Sequence, residues 1–192
     1  MATDRVVEVF ESERARLALL TRQGIGMPAA GLLYWIVVAV MVRMLPQPTA
    51  LLAMFFATGA VFPVGALLTR LAGGDLFARS ATLTSLGLIL ASVQLFYWPV
   101  IVLVYRVAPD WTPWTMAVLF GSHFLPYLWL YRSRAYAFLA ASSALVLTAG
   151  ALVARGPLYR EAPVLAAACY AVAVVMLWRE VRRDWATVEA IA

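Results

Sequence analysis

Lysine is absent from the 192-residue chain, histidine and cysteine occur once each, and charged residues make up only 13%. Each shortage removes a chemistry. Without lysine there is neither a Schiff base nor a catalytic amine; all fifteen basic residues are arginine. The single cysteine, Cys169, excludes an intrachain disulfide, and together with His123 it cannot complete the usual four-ligand metal cage. The ten acidic residues lie outside the apolar runs or at their margins. The chain therefore lacks the intramembrane carboxylates that proton- and cation-coupled carriers commonly use. No glycine-rich phosphate loop ending in lysine is present. No basic helix interleaved with aromatics accompanies the net charge of +5, so that charge carries no nucleic-acid message. Nothing in the sequence calls for a cofactor.

What the chain does have is apolar length. Its residues are 64% hydrophobic, against about 45–50% in soluble domains. Six apolar runs, approximately 27–45, 49–69, 82–104, 114–131, 135–154 and 162–178, follow one another with short links. Each is close to the ~20 residues that cross a hydrocarbon core ~30 Å thick. The alternation of barrel strands is missing, and only helices or closed barrels satisfy the backbone in lipid. The prediction is an all-α integral membrane domain over 24–192, its six transmembrane helices arranged as three hairpins in series. Pro46, Pro48, Pro109, Pro113 and Pro157 mark the turns.

Residues 1–23 do not read as a signal peptide, because Asp4, Glu8, Glu11 and Glu13 interrupt the basic and apolar regions one requires. Val6, Phe10, Leu17 and Leu20 recur at roughly helical spacing, with Glu11–Arg14 and Glu13–Arg16 placed to pair. This predicts an amphipathic helix, at the membrane surface or in the cytosol, ending near Gly24-Ile25-Gly26. Arg43, Arg106, Arg155 and Arg160 fall at one set of run ends and the other eleven arginines at the opposite set. The positive-inside rule then puts both termini on the cytoplasmic face of a bacterial inner membrane.

An offset of sixty-three positions aligns Leu32-x-Tyr34-Trp35-x-Val37 with Leu95-x-Tyr97-Trp98-x-Val100 and continues through Arg43/Arg106, Pro46/Pro109, Thr49/Thr112, Pro63/Pro126 and Leu67/Leu130. The length matches one hairpin plus its connection, so the first two hairpins read as a parallel internal repeat, a recurring plan of transporter folds. The link between them, Arg70 to Arg79, reads as a structural corner: Gly73-Gly74 ends a helix, Asp75 caps the next turn, and Arg79 lies four residues on.

Polar residues near mid-depth form the candidate site. His123 and Tyr127 are four residues apart and share a helix face with Tyr131, while Gln94, Tyr97 and Trp98 share another. If the two faces meet, they enclose a neutral, aromatic-rich pocket with one titratable group, suited to binding or transporting a small neutral, aromatic or lipidic molecule between the first two hairpins. A second reading explains the same residues as interhelical hydrogen bonds, ordinary packing devices in membranes that contribute about 0.6–2 kcal/mol. It makes the protein structural or partner-binding, docking through 1–23 or the charged tail 179–192. The bilayer is the one partner the sequence establishes; protein partners and oligomeric state are open. Catalysis is disfavoured. Ser122 and His123 are adjacent, so their side chains diverge by about 100° on a helix. Ser142 or Cys169 would face His123 with no acid at that depth to orient the imidazole.

Phe62-Pro63-x-Gly65, Trp98-Pro99 and Gly121-x-His123-Phe124-x-Pro126-Tyr127-x-Trp129-x-Tyr131 together resemble an uncharacterised family of small bacterial multi-spanning membrane proteins, over the central two thirds of the chain. The resemblance implies an integral membrane protein and supplies no activity, cofactor or substrate.

Overall fold

The computed structural model describes residues 2–80 and 83–189; the expected limits at residues 1, 82 and 192 lie outside them. Among the described residues every regular element is a helix, without a strand. The α-helices are α1 (Ala2–Leu20), α2 (Gly26–Met44), α3 (Gln47–Leu71), α4 (Thr84–Ser92), α5 (Trp98–Val107), α6 (Thr112–Ser122), α7 (Leu125–Tyr131), α8 (Arg134–Ala154) and α9 (Ala162–Glu189). Five helical stretches are long and apolar enough to cross a bilayer: Arg22–Met44, Gln47–Leu71, Ser85–Val107, Arg134–Ala154 and Ala162–Asp184. That pattern indicates a membrane protein, and these stretches coincide with five of the six expected runs.

The remaining run, 114–131, departs from expectation: it is two shorter helices, α6 and α7, joined by a turn at His123-Phe124. Pro126 has no N–H and cannot continue the i→i−4 ladder, so the chain tightens before it. The Phe124 N–H bonds Gly121 and the Tyr127 N–H bonds Phe124, three residues back in each case. The run Ser85–Val107 is likewise tightened into a 3₁₀ turn over Val93–Tyr97, ahead of Pro99 in the first turn of α5. A proline alone does not force such a break. Pro63 sits inside the continuous helix α3.

The packed centre is α2, α8 and α9, with α3 on one side and α6 on the other. Trp35, Val38, Met54, Met116, Leu139 and Leu177 are buried there. Among helices in lipid, such contacts act through van der Waals fit, and small residues set how closely backbones approach. Gly26 lies against the Gly65 carbonyl and Thr69, leaving no room for a Cβ, and Gly121 lies against Ser143 in the same way. The helix α3 ends as the sequence suggests. Gly73 takes a left-handed φ of 79°, its N–H bonds Arg70, and the Gly74 N–H reaches back to Thr69. Asp75 caps the turn that follows, its carboxylate accepting the Phe77 N–H at 2.9 Å.

One end of the bundle is organised around a turn between α1 and α2. Arg22, Gln23 and Gly24 all have positive φ (50°, 51° and 65°), a conformation costing L-residues about 1–2 kcal/mol each. Distant partners hold it. The Tyr136 hydroxyl donates to the Gln23 carbonyl at 2.6 Å, the Gln23 amide donates to Asp184 at 2.7 Å, and the Asp75 N–H donates to Leu20 at 2.8 Å. From this turn α1 folds back across α7. Glu11 pairs with both Arg14 (3.1 Å) and Arg132 (2.6 Å), Arg14 lies over the Trp129 ring, and Leu17 is buried with Leu83 and Leu130. The α1 helix is therefore docked on protein, with Glu13–Arg16 also paired at 3.6 Å.

The chain segment α4–α5 is anchored at the start of α4, through Leu83 and Leu86, and along α5. Leu83, just before α4, is pinned in the cluster with Leu17 and Leu130. Farther along, Trp98 and Tyr105 make edge-on contacts with Phe55 of α3, and Ile101 is fully buried. Between these anchors α4 stands away from α2 and α3, leaving a space beneath it.

Candidate functional site

The break between α6 and α7 exposes a backbone carbonyl in the middle of the bundle. In an unbroken helix the Phe124 N–H would bond Phe120; here it bonds Gly121. The Phe120 carbonyl is satisfied by side chains instead, accepting from the Tyr170 hydroxyl at 3.0 Å and from His123 Nδ1 at 2.6 Å. A carbonyl only accepts, so Nδ1 carries the proton. In the neutral ring Nε2 is then a lone-pair acceptor, and it has no hydrogen-bond partner among the described residues.

Around the break lies a packed group of aromatic rings. Phe124 stacks on Tyr136 with centroids 5.7 Å apart and meets Tyr170 edge-on at 5.9 Å. Tyr127 is 6.0 Å from Tyr131, 5.7 Å from Tyr136 and 6.3 Å from His123. Tyr170 sits so close over Gly31 of α2 that a Cβ at that position would strike its ring. The tyrosine hydroxyls are anchored on backbone: Tyr136 on Gln23, Tyr170 on Phe120, and Tyr34 on Met54 at 3.2 Å. These three rings thus present a face while their polar tips are occupied.

These rings form one wall of a cavity of about 750 Å³ beneath α4, within the ~300–1,000 Å³ typical of small-molecule sites. The opposite wall is α4 and the following turn, through Gly87, Ala91, Gln94, Leu95 and Trp98. A third side is α3, through Thr58, Gly59 and Phe62. A Cβ added at Gly59 or Gly87 would meet nothing within 4 Å, so both glycines border open space. Phe62, Phe77 and Leu95 line the cavity and are 54%, 66% and 68% exposed. The space therefore opens sideways between α3 and α4, at the depth of apolar helix surface. Arg79 lines the same cavity from the link between α3 and α4.

Of the residues singled out in the sequence, His123, Tyr127, Gln94 and Trp98 line this cavity, and Tyr97 does not. The lining stripe runs Gly87, Ala91, Gln94/Leu95, Trp98, and Tyr97 falls beside it, packed against the core. Sequence reasoning missed Tyr136, Tyr170, Phe124 and Arg79, and did not include Tyr131 in the site although it shares the His123 face and lines the cavity. The four-residue spacing from Tyr127 was the signal available for Tyr131. Ser122 and Ser142 donate to carbonyls of their own helices, Leu119 and Leu139, at 3.1 and 3.3 Å, so neither is a partner for His123. Among the described residues no three of His, Cys, Asp and Glu come together as a metal site would need.

Fold and site define a helical protein with, among the described residues, five membrane-length helical stretches and a side-opening aromatic cavity. The chain belongs to a family of unknown function (DUF7010), which it matches over residues 10–180. No curated protein matches the chain, and no solved structure matches it.

Proposed function

We propose that the protein binds a small apolar or aromatic molecule, bearing a hydrogen-bond donor, taken up from the lipid through the opening between α3 and α4. The observation that carries this reading is His123: a fixed tautomer leaves its Nε2 lone pair without a partner among the described residues, at the wall of an aromatic cavity. A ligand N–H or O–H can donate to that lone pair, and a net hydrogen bond of this kind contributes about 0.5–1.5 kcal/mol. We place the protein in a bacterial inner membrane with the α1 end, where eleven of the fifteen arginines fall in sequence, toward the cytoplasm. A sixth crossing by α6 and α7 together is supported by their neighbours. Asp110, before α6, is bonded to Gln47 at one end of the bundle, and Tyr136, after α7, is bonded to Gln23 at the other. Gln47 and Asp110 are also partners at the sixty-three-residue offset, which supports a repeat of the first two hairpins.

The test uses 1-aminoanthracene, an aromatic amine that brightens in apolar surroundings, with the protein in lipid nanodiscs. Gly87→Leu projects a side chain into the space from α4, where an added Cβ meets nothing within 4 Å, and removes saturable binding; His123→Ala weakens it about five-fold or more, the value of one hydrogen bond. Equal binding by wild type and the folded Gly87→Leu variant overturns the cavity reading. Equal binding by wild type and His123→Ala removes His123 from it.

A further inference from the structure

Resting on that cavity reading, we infer that the occupant is a single-chain amphiphile with an anionic head, its head paired with Arg79 and its hydrocarbon body under α4. Arg79 differs from the other arginines at this end because its side chain borders the cavity. It is exposed, and no carboxylate among the described residues pairs with it. The acids nearby are engaged elsewhere. Asp75 holds the Phe77 N–H, Glu13 takes the Ser80 hydroxyl and Arg16, and Glu11 takes Arg14 and Arg132. Asp184 and Glu180 accept from Gln23 and Ser133. An arginine with uncompensated charge at the rim of an apolar, aromatic space matches a molecule with charge at one end and none along its length. The guanidinium suits such a head chemically, because its planar fork binds a carboxylate or phosphate through two parallel hydrogen bonds. The side opening past Phe62 and Leu95 admits an unbranched chain from the lipid while the head stays at the α1 end.

The experiment compares palmitate with hexadecanol, which share a chain and differ in charge, as displacers of 1-aminoanthracene from the full-length protein in nanodiscs of neutral lipid. Wild type, Arg79→Gln, Arg79→Lys and Arg70→Gln are measured, with helicity and elution volume confirming folding. Arg70 is exposed and does not line the cavity, so it reports the effect of general positive charge. Palmitate is expected to displace the probe roughly ten-fold better than hexadecanol in wild type and Arg70→Gln, consistent with a charged hydrogen-bonded pair. Arg79→Gln abolishes that advantage, Arg79→Lys keeps part of it, and added salt reduces it. Equal displacement by the two in wild type overturns the anionic head while leaving the cavity reading intact. An advantage that survives in folded Arg79→Gln overturns the role of Arg79. If the probe binds and neither chain displaces it, the single-chain occupant is wrong; if the probe itself shows no saturable binding, the cavity reading falls first.

Discussion

The Tyr170 hydroxyl stands 3.0 Å from the Phe120 carbonyl, taking the place that the Phe124 N–H would hold in a continuous helix. A residue of α9 thereby stabilises a break in another helix fifty positions earlier.

Tyr170→Phe removes one of two hydrogen bonds to that carbonyl and should cost about 1 kcal/mol, the net value of a typical internal bond. His123→Ala removes the other. The double variant leaves the carbonyl unsatisfied, so its loss should exceed the sum of the single losses. Chemical unfolding in detergent, followed by circular dichroism, measures all three; strict additivity would show that the two groups do not share this acceptor.

Glycine positions separate into crowded and open ones. Gly31→Ala drives a methyl into the Tyr170 ring and Gly26→Ala into the Gly65 carbonyl, so each should destabilise by about 1–3 kcal/mol, as overpacking does. Gly59→Ala meets nothing and should be neutral or stabilise by about 0.4–1 kcal/mol through a less flexible unfolded chain. Thermal unfolding of the three variants side by side checks the ordering; a loss at Gly59 as large as that at Gly26 would contradict it.

Docking of α1 should depend on its apolar contact more than on its ion pair. Glu11 and Arg132 are 35% and 68% exposed, and pairs of that kind contribute about 0–1 kcal/mol. Leu17 is buried, and Leu→Ala at buried sites costs about 2–5 kcal/mol. Limited proteolysis around residues 20–25 should accelerate strongly in Leu17→Ala and little in Glu11→Gln. The reverse order would make the ion pair the main tether.

Arg155 ends α8 with a φ of 51°, and the Gly156 N–H closes the turn onto Ala151. Glycine is the residue this position favours. Arg155→Gly should raise stability by about 0.5–1 kcal/mol by relieving the left-handed strain. A lower midpoint in thermal unfolding would mean that the exposed guanidinium has a stabilising contact.

Hydropathy located the helices because apolar length is a local property: the expected run 27–45 is matched by α2 at Gly26–Met44, and 135–154 by α8 at Arg134–Ala154. The break at His123 was not legible, since Pro63 and Pro126 look alike in sequence while only the second interrupts its helix. What differs is the presence of Tyr170 and the imidazole to receive the freed carbonyl, and Tyr170 arrives through long-range packing. The face shared by His123 and Tyr127 was readable from spacing alone. Tyr136 and Arg79 were not, because their place at the cavity depends on which helices become neighbours. Tyr97 was misplaced by extending a face by one residue where the lining stripe passes through Gln94 and Trp98.

The left-handed turn at Arg22–Gly24 also sets an order of assembly. Its carbonyl at Gln23 needs Tyr136, and the Gln23 amide needs Asp184, a residue 161 positions later. The turn after α1 leaves the ribosome before α8 and α9 and is thus locked only after those helices have met it. Nascent chains halted before residue 184 should leave the turn at residues 22–24 open to protease, and that turn should close only when the end of α9 emerges.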